Sequence, residues 1–97
     1  MPRYVGLFNW TDQGIQSYRD TVRRVEDGRA AAEQLGIRIL DVYWTVGQYD
    51  LVVVSEAPDD ETLTAFLLQL GSQGNVRTQT LRAYDGDEMS RIIERTG

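Results

Sequence analysis

The stretch TVGQYDLVVVSEA, Thr45 to Ala57, decides the fold. It holds a glycine in a tight turn, then the Tyr49-Asp50 step, then an almost unbroken apolar run. Gly47-Gln48 reads as a two-residue hairpin turn, with Gly47 supplying the positive φ of a type II′ geometry. The run before it, IRILDVYWTV (Ile37 to Val46), is rich in β-branched and aromatic residues and reads as the partner strand. Such a turn fixes the register: Val46 opposes Tyr49, Thr45 opposes Asp50, Trp44 opposes Leu51 and Tyr43 opposes Val52. One face then carries Val42, Trp44, Tyr49, Leu51 and Val53. The other carries Ile39, Tyr43, Thr45, Asp50, Val52 and Val54. An antiparallel strand with one wet face alternates apolar and polar residues, and this one does not. Both faces of the hairpin therefore call for cover.

Working outward, RYVGLFN (Arg3 to Asn9) reads as a first strand and WTDQGIQS as a loop or short turn, with Thr11, Asp12 and Gly14 as turn formers. Ser17-Tyr18-Arg19-Asp20 fits a capping box. The helix expected after it, TVRRVEDGRAAAEQLG, places Val22, Val25, Ala32 and Leu35 near one face and stops at Gly36. Gly28 interrupts that helix at a cost of about 1 kcal/mol against Ala, to be explained by close helix–sheet approach or by simple tolerance. After the hairpin, Pro58-Asp59-Asp60-Glu61 opens a second helix, with carboxylates at the positive end of its dipole. Leu63, Phe66, Leu67 and Leu70 give its apolar stripe. NVRTQTLRAY is a fourth strand, with Arg77, Gln79, Leu81 and Ala83 sharing a face. A second capping box, Asp85 to Glu88, starts a short final helix expected to dock through Met89, Ile92 and Ile93. The order predicts a single α+β domain over residues 1–97: a ferredoxin-like βαββαβ plan with a four-stranded antiparallel sheet, plus a C-terminal helix. In that plan helices cover one sheet face only. The economical cover for the other is a second copy of the chain, so a homodimer through the sheet face is expected.

Composition narrows the function. Apolar residues make up 41% and charged residues 26%, an ordinary globular mix, and the net charge is -5. No basic face is visible for nucleic acid: Arg19, Arg23, Arg24 and Arg29 are interleaved with Asp20, Glu26 and Asp27 and read as a solvated helix face. There is no Cys and no His, which removes thiol and imidazole chemistry and the usual zinc ligands. Neither a signal peptide nor a membrane span is apparent, so a cytoplasmic protein with no membrane partner is expected. Asp59-Asp60-Glu61 and Asp85, Asp87 and Glu88 lack calcium-loop spacing and are explained by helix capping, and no dinucleotide or phosphate loop occurs. No metal and no cofactor is expected.

The motifs VYWTVGQYDLVVVSEAPDD, LFNWTDQG and GNVRTQTLRAY together resemble the GYD-domain family, named for the Gly-x-Tyr-Asp step that stands here as Gly47, Tyr49 and Asp50. The resemblance covers nearly the whole chain, with the motifs in the family's order. It implies a dimeric α/β barrel of bacteria and archaea, largely without assigned activity. A fainter resemblance, through the same hairpin and a Thr-x-Thr strand (Thr78 and Thr80), is to the effector-binding domain of leucine-responsive/asparagine regulators. These bind amino acids at subunit interfaces, but their helix-turn-helix segment is absent here.

Seven residues stand out as binding candidates: Asn9, Trp10, Tyr43, Trp44, Tyr49, Asp50 and Arg77. Asp50 beside Tyr49 offers an acid/base pair if buried, but its place in a tight turn favours a hydrogen bond to Thr45 or to turn amides. Asn9, Trp10, Trp44 and Tyr43 either line an aromatic pocket, with Asn9 polarising a carbonyl, or serve as core and loop anchors. Arg77 either clamps a carboxylate or forms an ion pair, with Asp50 or across a dimer. The leading expectation is a small-molecule-binding, sensing or accessory protein. Its rival is a cofactor-independent monooxygenase- or isomerase-like enzyme using Asn9, Trp10, Trp44 and Arg77, by analogy of fold. A third reading is a purely structural interaction module.

Overall fold

The computed structural model describes residues 1–97. Its elements run β1 (Arg3–Trp10), α1 (Asp12–Gln16), a 3-10 turn (Tyr18–Asp20), α2 (Thr21–Gln34), β2 (Arg38–Trp44), β3 (Leu51–Glu56), α3 (Asp60–Ser72), β4 (Val76–Ala83) and α4 (Gly86–Glu94). The strands form one sheet in the order β2-β3-β1-β4, every neighbouring pair antiparallel. This is the ferredoxin-like order expected from the sequence.

Local chemistry sets the element ends. The Asp59 carboxylate accepts from the Thr62 amide at 2.7 Å and starts α3, and that bond holds the Asp59 carboxyl below its ordinary range. Asp85 and Glu88 complete a reciprocal capping box at α4. The predicted box at Ser17 does not form. Ser17 and Asp20 make no side-chain cap bond, residues 18–20 tighten into the 3-10 turn, and α2 starts at Thr21. The segment read as a loop after β1 holds the short helix α1, capped by Thr11.

The hairpin keeps its expected register, Trp44 to Leu51 and Tyr43 to Val52, but not its expected turn. Residues 45–50 form a wider connection, closed by the Thr45 amide on the Asp50 carbonyl at 2.8 Å and the Thr45 hydroxyl on the Tyr49 carbonyl at 2.5 Å. Gly47 has φ +141°, a value L-residues seldom adopt, so glycine is still required there. A bulge at Leu40 shifts the pairing between Ile39 and Asp41. The extra residue puts Ile39 on the face of Val42 rather than that of Tyr43, correcting the strict alternation.

One sheet face is covered by α2 and α3. Tyr4, Ala32, Ile37, Ala57, Leu63 and Phe66 form the core beneath them, with Ile39, Leu67 and Leu70 packed against it. The other face has no helix. Val5, Leu7, Val52 and Val54 lie across its centre, half-buried only by their neighbours, with Tyr43 and Leu81 exposed. The ion pairs Arg3–Glu56 (3.1 Å) and Arg38–Glu56 (3.6 Å) close one end of it.

The final helix does not dock as expected. No other element packs along α4 to any extent; of the three expected contacts Ile92 is half-buried, while Met89 and Ile93 are exposed. Its tie to the sheet is the Arg82–Glu88 pair at 3.9 Å. The molecule therefore measures 52 × 31 × 18 Å, with a radius of gyration of 14.7 Å. A compact chain of this length would have about 12.5 Å. The thin dimension is that of two layers, sheet and helices, and the long one includes an unsupported helix. Only 11 of 97 residues are buried, which follows from a sheet clad on one side.

Candidate functional site

The covered side of the sheet is not filled. Between α2, α3 and the strands lies a cleft of about 100 Å³. Phe8, Leu51 and Val53 form its floor, Phe66 and Leu70 one wall, and Trp10 one end. Its roof is α2, through Thr21, Arg24, Val25, Gly28 and Arg29. That spacing is the i, i+3, i+4, i+7 face of a helix, which in an amphipathic helix over a sheet should be apolar. Two arginines and a glycine there leave α2 without the side chains that would close the gap.

Both arginines are half-buried and held in place by neutral acceptors. Arg24 donates through Nη1 to the Ser17 hydroxyl (2.6 Å) and through Nη2 to the Gly14 carbonyl (3.2 Å). Arg29 donates through Nη1 to the Ile39 carbonyl (2.7 Å). Neither is in an ion pair. The sequence reading placed both on a solvated face and the inward stripe at Val22, Val25, Ala32 and Leu35; Val25 lines the cleft and Ala32 is buried, but Val22 and Leu35 are exposed. The usable signal was the Thr21, Arg24, Gly28, Ala32 spacing, which ends on fully buried Ala32.

The candidate residues from the sequence are divided between the two sheet faces. Trp10 lines the cleft. Trp44, 43% exposed, lies on the helix side, its indole N–H donating to Thr21 Oγ1 at 3.0 Å. Asn9 and Arg77 are paired neighbours on the open face. Arg77 is exposed and makes no ion pair, contrary to the expected burial or pairing with Asp50. Tyr43 is exposed on the open face, and Tyr49, expected with Leu51, instead reaches Gln79 on that face at 2.9 Å. Asn9, Trp10, Trp44 and Arg77 thus do not converge on one pocket. No three Asp or Glu side chains come together in a way that could hold a metal ion.

Asp50 works as a latch. Beyond the last β1–β3 pair, Phe8 with Leu51, its amide donates to the Phe8 carbonyl at 2.8 Å. Its carboxylate accepts from the Trp10 amide at 2.8 Å. Asn9 Nδ2 adds a bond to the Gln48 carbonyl at 2.7 Å. The Tyr-Asp step therefore straps the 45–50 connection onto the end of the central strand. Asp50→Ala leaves the Trp10 N–H without its acceptor and should cost about 1–3 kcal/mol in urea unfolding, while Asp50→Asn, which keeps an oxygen, should recover much of it. An unchanged urea midpoint for Asp50→Ala would remove the latch.

At the opposite end of β1, the buried Tyr4 phenol donates to the Asp60 carboxylate. Burial first, then the Asp60 hydrogen bond and charge, push its pKa from 10.0 to about 12. The folded state thus favours the protonated phenol. That contribution is fully present below pH 10 and is lost as pH rises through about 12. Urea midpoints measured from neutral pH to pH 12 should fall steeply in this window, and Tyr4→Phe should flatten the fall.

Comparison with known proteins agrees with the motif-based resemblance. A relative from Thermus thermophilus, named glutamine synthetase and cystathionine beta-lyase binding protein, is 34% identical over 84 residues, covering 86% of this chain and 88% of its own. No solved structure matches the chain. No helix is long and apolar enough to cross a membrane. The GYD domain profile matches residues 4–93, nearly the full length, and the chain belongs to the GYD domain family.

Proposed function

We propose that this protein is an accessory binding protein: a homodimer, joined through its open sheet face, that attaches to metabolic enzymes and holds a small molecule beneath its helices. The observation that carries this reading is the Thermus relative, similar over most of both chains and named for binding two enzymes. An accessory role also suits Asn9 and Asp50, which are engaged in strapping the hairpin to β1.

The uncovered apolar surface supports self-association. Four strands about 4.8 Å apart and seven or so residues long at about 3.3 Å each give a face of roughly 19 × 23 Å. That is less than the about 800 Å² per partner of a standard stable interface. The apolar side of α4, with Met89 and Ile93 exposed, supplies the kind of surface that would make up the difference across a partner.

Light scattering at micromolar concentration should give twice the 11.0 kDa of one chain, and Val52→Lys, at the centre of the open face, should return one chain's mass with the fold kept. A wild-type mass of one chain would refute the homodimer. Titration against purified glutamine synthetase and cystathionine β-lyase of the same organism, by biolayer interferometry, tests the accessory role. Failure to bind either enzyme would overturn it.

A further inference from the structure

We propose that the cleft beneath α2 is a binding site for a small carboxylic acid with a compact apolar body, its carboxylate held by Arg24 or Arg29. This rests on the reading of the chain as a small-molecule-binding protein and names the class of molecule.

Three observations carry it. The first is uncompensated charge. Two half-buried guanidinium groups border an apolar cleft, fixed by a hydroxyl and two backbone carbonyls and paired with no carboxylate. Cations set in low-dielectric surroundings favour an anion, and arginine's planar fork suits a carboxylate. Each guanidinium has five N–H donors, and these bonds use only two on Arg24 and one on Arg29, so donors remain for a ligand.

The second is Gly28, between the two arginines on the same helix face. A Cβ built there meets no atom within 4 Å. Close helix–sheet approach therefore does not explain it. The glycine weakens the middle of α2, and what it provides is empty space in the cleft roof. Any larger side chain on this face would project into that space.

The third is the rest of the lining. Phe8, Leu51, Val53, Phe66 and Leu70 present only hydrocarbon, and no Asp or Glu lines the cleft. A ligand ammonium would have no anionic partner, so an amino acid zwitterion fits less well than a plain monocarboxylate. The volume of about 100 Å³ suits a branched aliphatic or single-ring acid rather than a long acyl chain.

The test uses the full chain and two pairs of probes: 4-methylpentanoate with its amide, and phenylacetate with its amide, titrated by calorimetry. Amide ¹H–¹⁵N spectra locate any binding. At least one acid should bind saturably, with shifts at Arg24, Gly28 and Trp10, and about tenfold or more tightly than its amide. Either Arg24→Gln or Arg29→Gln should remove most of that preference, and undiminished preference in both variants would overturn the proposal. Because these arginines also tie α2 to its neighbours, Gly28→Leu is the second variant. It should melt no lower than wild type yet lose binding, since its side chain occupies the site. Equal binding of acid and amide in the cleft would overturn the carboxylate assignment while leaving the small-molecule reading standing. Absence of saturable binding by either acid, shifts elsewhere in the chain, or undiminished binding by Gly28→Leu would overturn the proposal. The enzyme titrations above decide the accessory role separately.

Discussion

Phe66→Ala should lower the stability of the chain by about 3–5 kcal/mol, a large share of the about 5–15 kcal/mol that holds a domain folded. Phe66 is 6% exposed and belongs to a core of only six clustered buried residues. The cost of a core truncation depends on how well the site can collapse. Here collapse is poor, because Phe66 also walls the cleft, so removing the ring joins a new void to an existing one. The sheet below and α3 above are both fixed by backbone hydrogen bonds and cannot close the gap. Urea unfolding followed by circular dichroism checks this, at one protein concentration throughout, since self-association would add to apparent stability. A loss under about 1 kcal/mol would mean that the core lies elsewhere.

Gly14→Ala should be nearly as damaging, about 3 kcal/mol, for the opposite reason. A Cβ on Gly14 would stand 2.0 Å from the Asn75 carbonyl oxygen, 2.9 Å from its carbon and 3.2 Å from its Cα. All three are backbone, so no side-chain rotation relieves the clash. The seam it would part is a dense one. The Thr11 amide donates to the Asn75 carbonyl at 3.1 Å, the Thr11 hydroxyl to the Gly74 carbonyl at 2.5 Å, and Gln13 Nε2 to the Gln73 carbonyl at 2.9 Å. These bonds hold α1 against the start of β4. The same change disturbs the cleft, because the Gly14 carbonyl accepts from Arg24 and Asn75 lies on the cleft rim. A Gly14→Ala chain with wild-type stability and wild-type amide shifts at Gln73 to Asn75 would show that the contact is not close.

Much that depended on near neighbours was readable from the residues, though the box at Ser17, the helix α1 and the form of the hairpin turn were not. The caps at Asp59 and Asp85 are four-residue motifs, and both formed. The α3 stripe is a local period, and Leu63 and Phe66 are buried as it required. The pairing of Trp44 with Leu51, expected from a two-residue turn, is kept although the turn itself opened into a wider connection. The strand order followed from the alternation of elements, and the Gly-Tyr-Asp step and its flanking motifs marked the family. The candidate site was legible only as residue types. The sequence offered Asn9, Trp10, Trp44 and Arg77 without the means to say that they lie on different sides of one sheet.

The sequence by itself determined the strands, the longer helices and their order, because capping, periodicity and pairing length act over a few residues, but not α1 or the start of α2. Only the tertiary structure decided which way α2 turns, because its inward face is set by contacts with β2 and α3. It decided that Leu40 bulges, which moves Ile39 into the core and onto the cleft floor. It decided that the Asp50 carboxylate meets the Trp10 amide, forty positions away in the chain, while the Asp50 carbonyl closes the hairpin on the Thr45 amide. It left α4 undocked, because the apolar surface its sequence asks for does not exist within a single chain that has helices on only one side of its sheet.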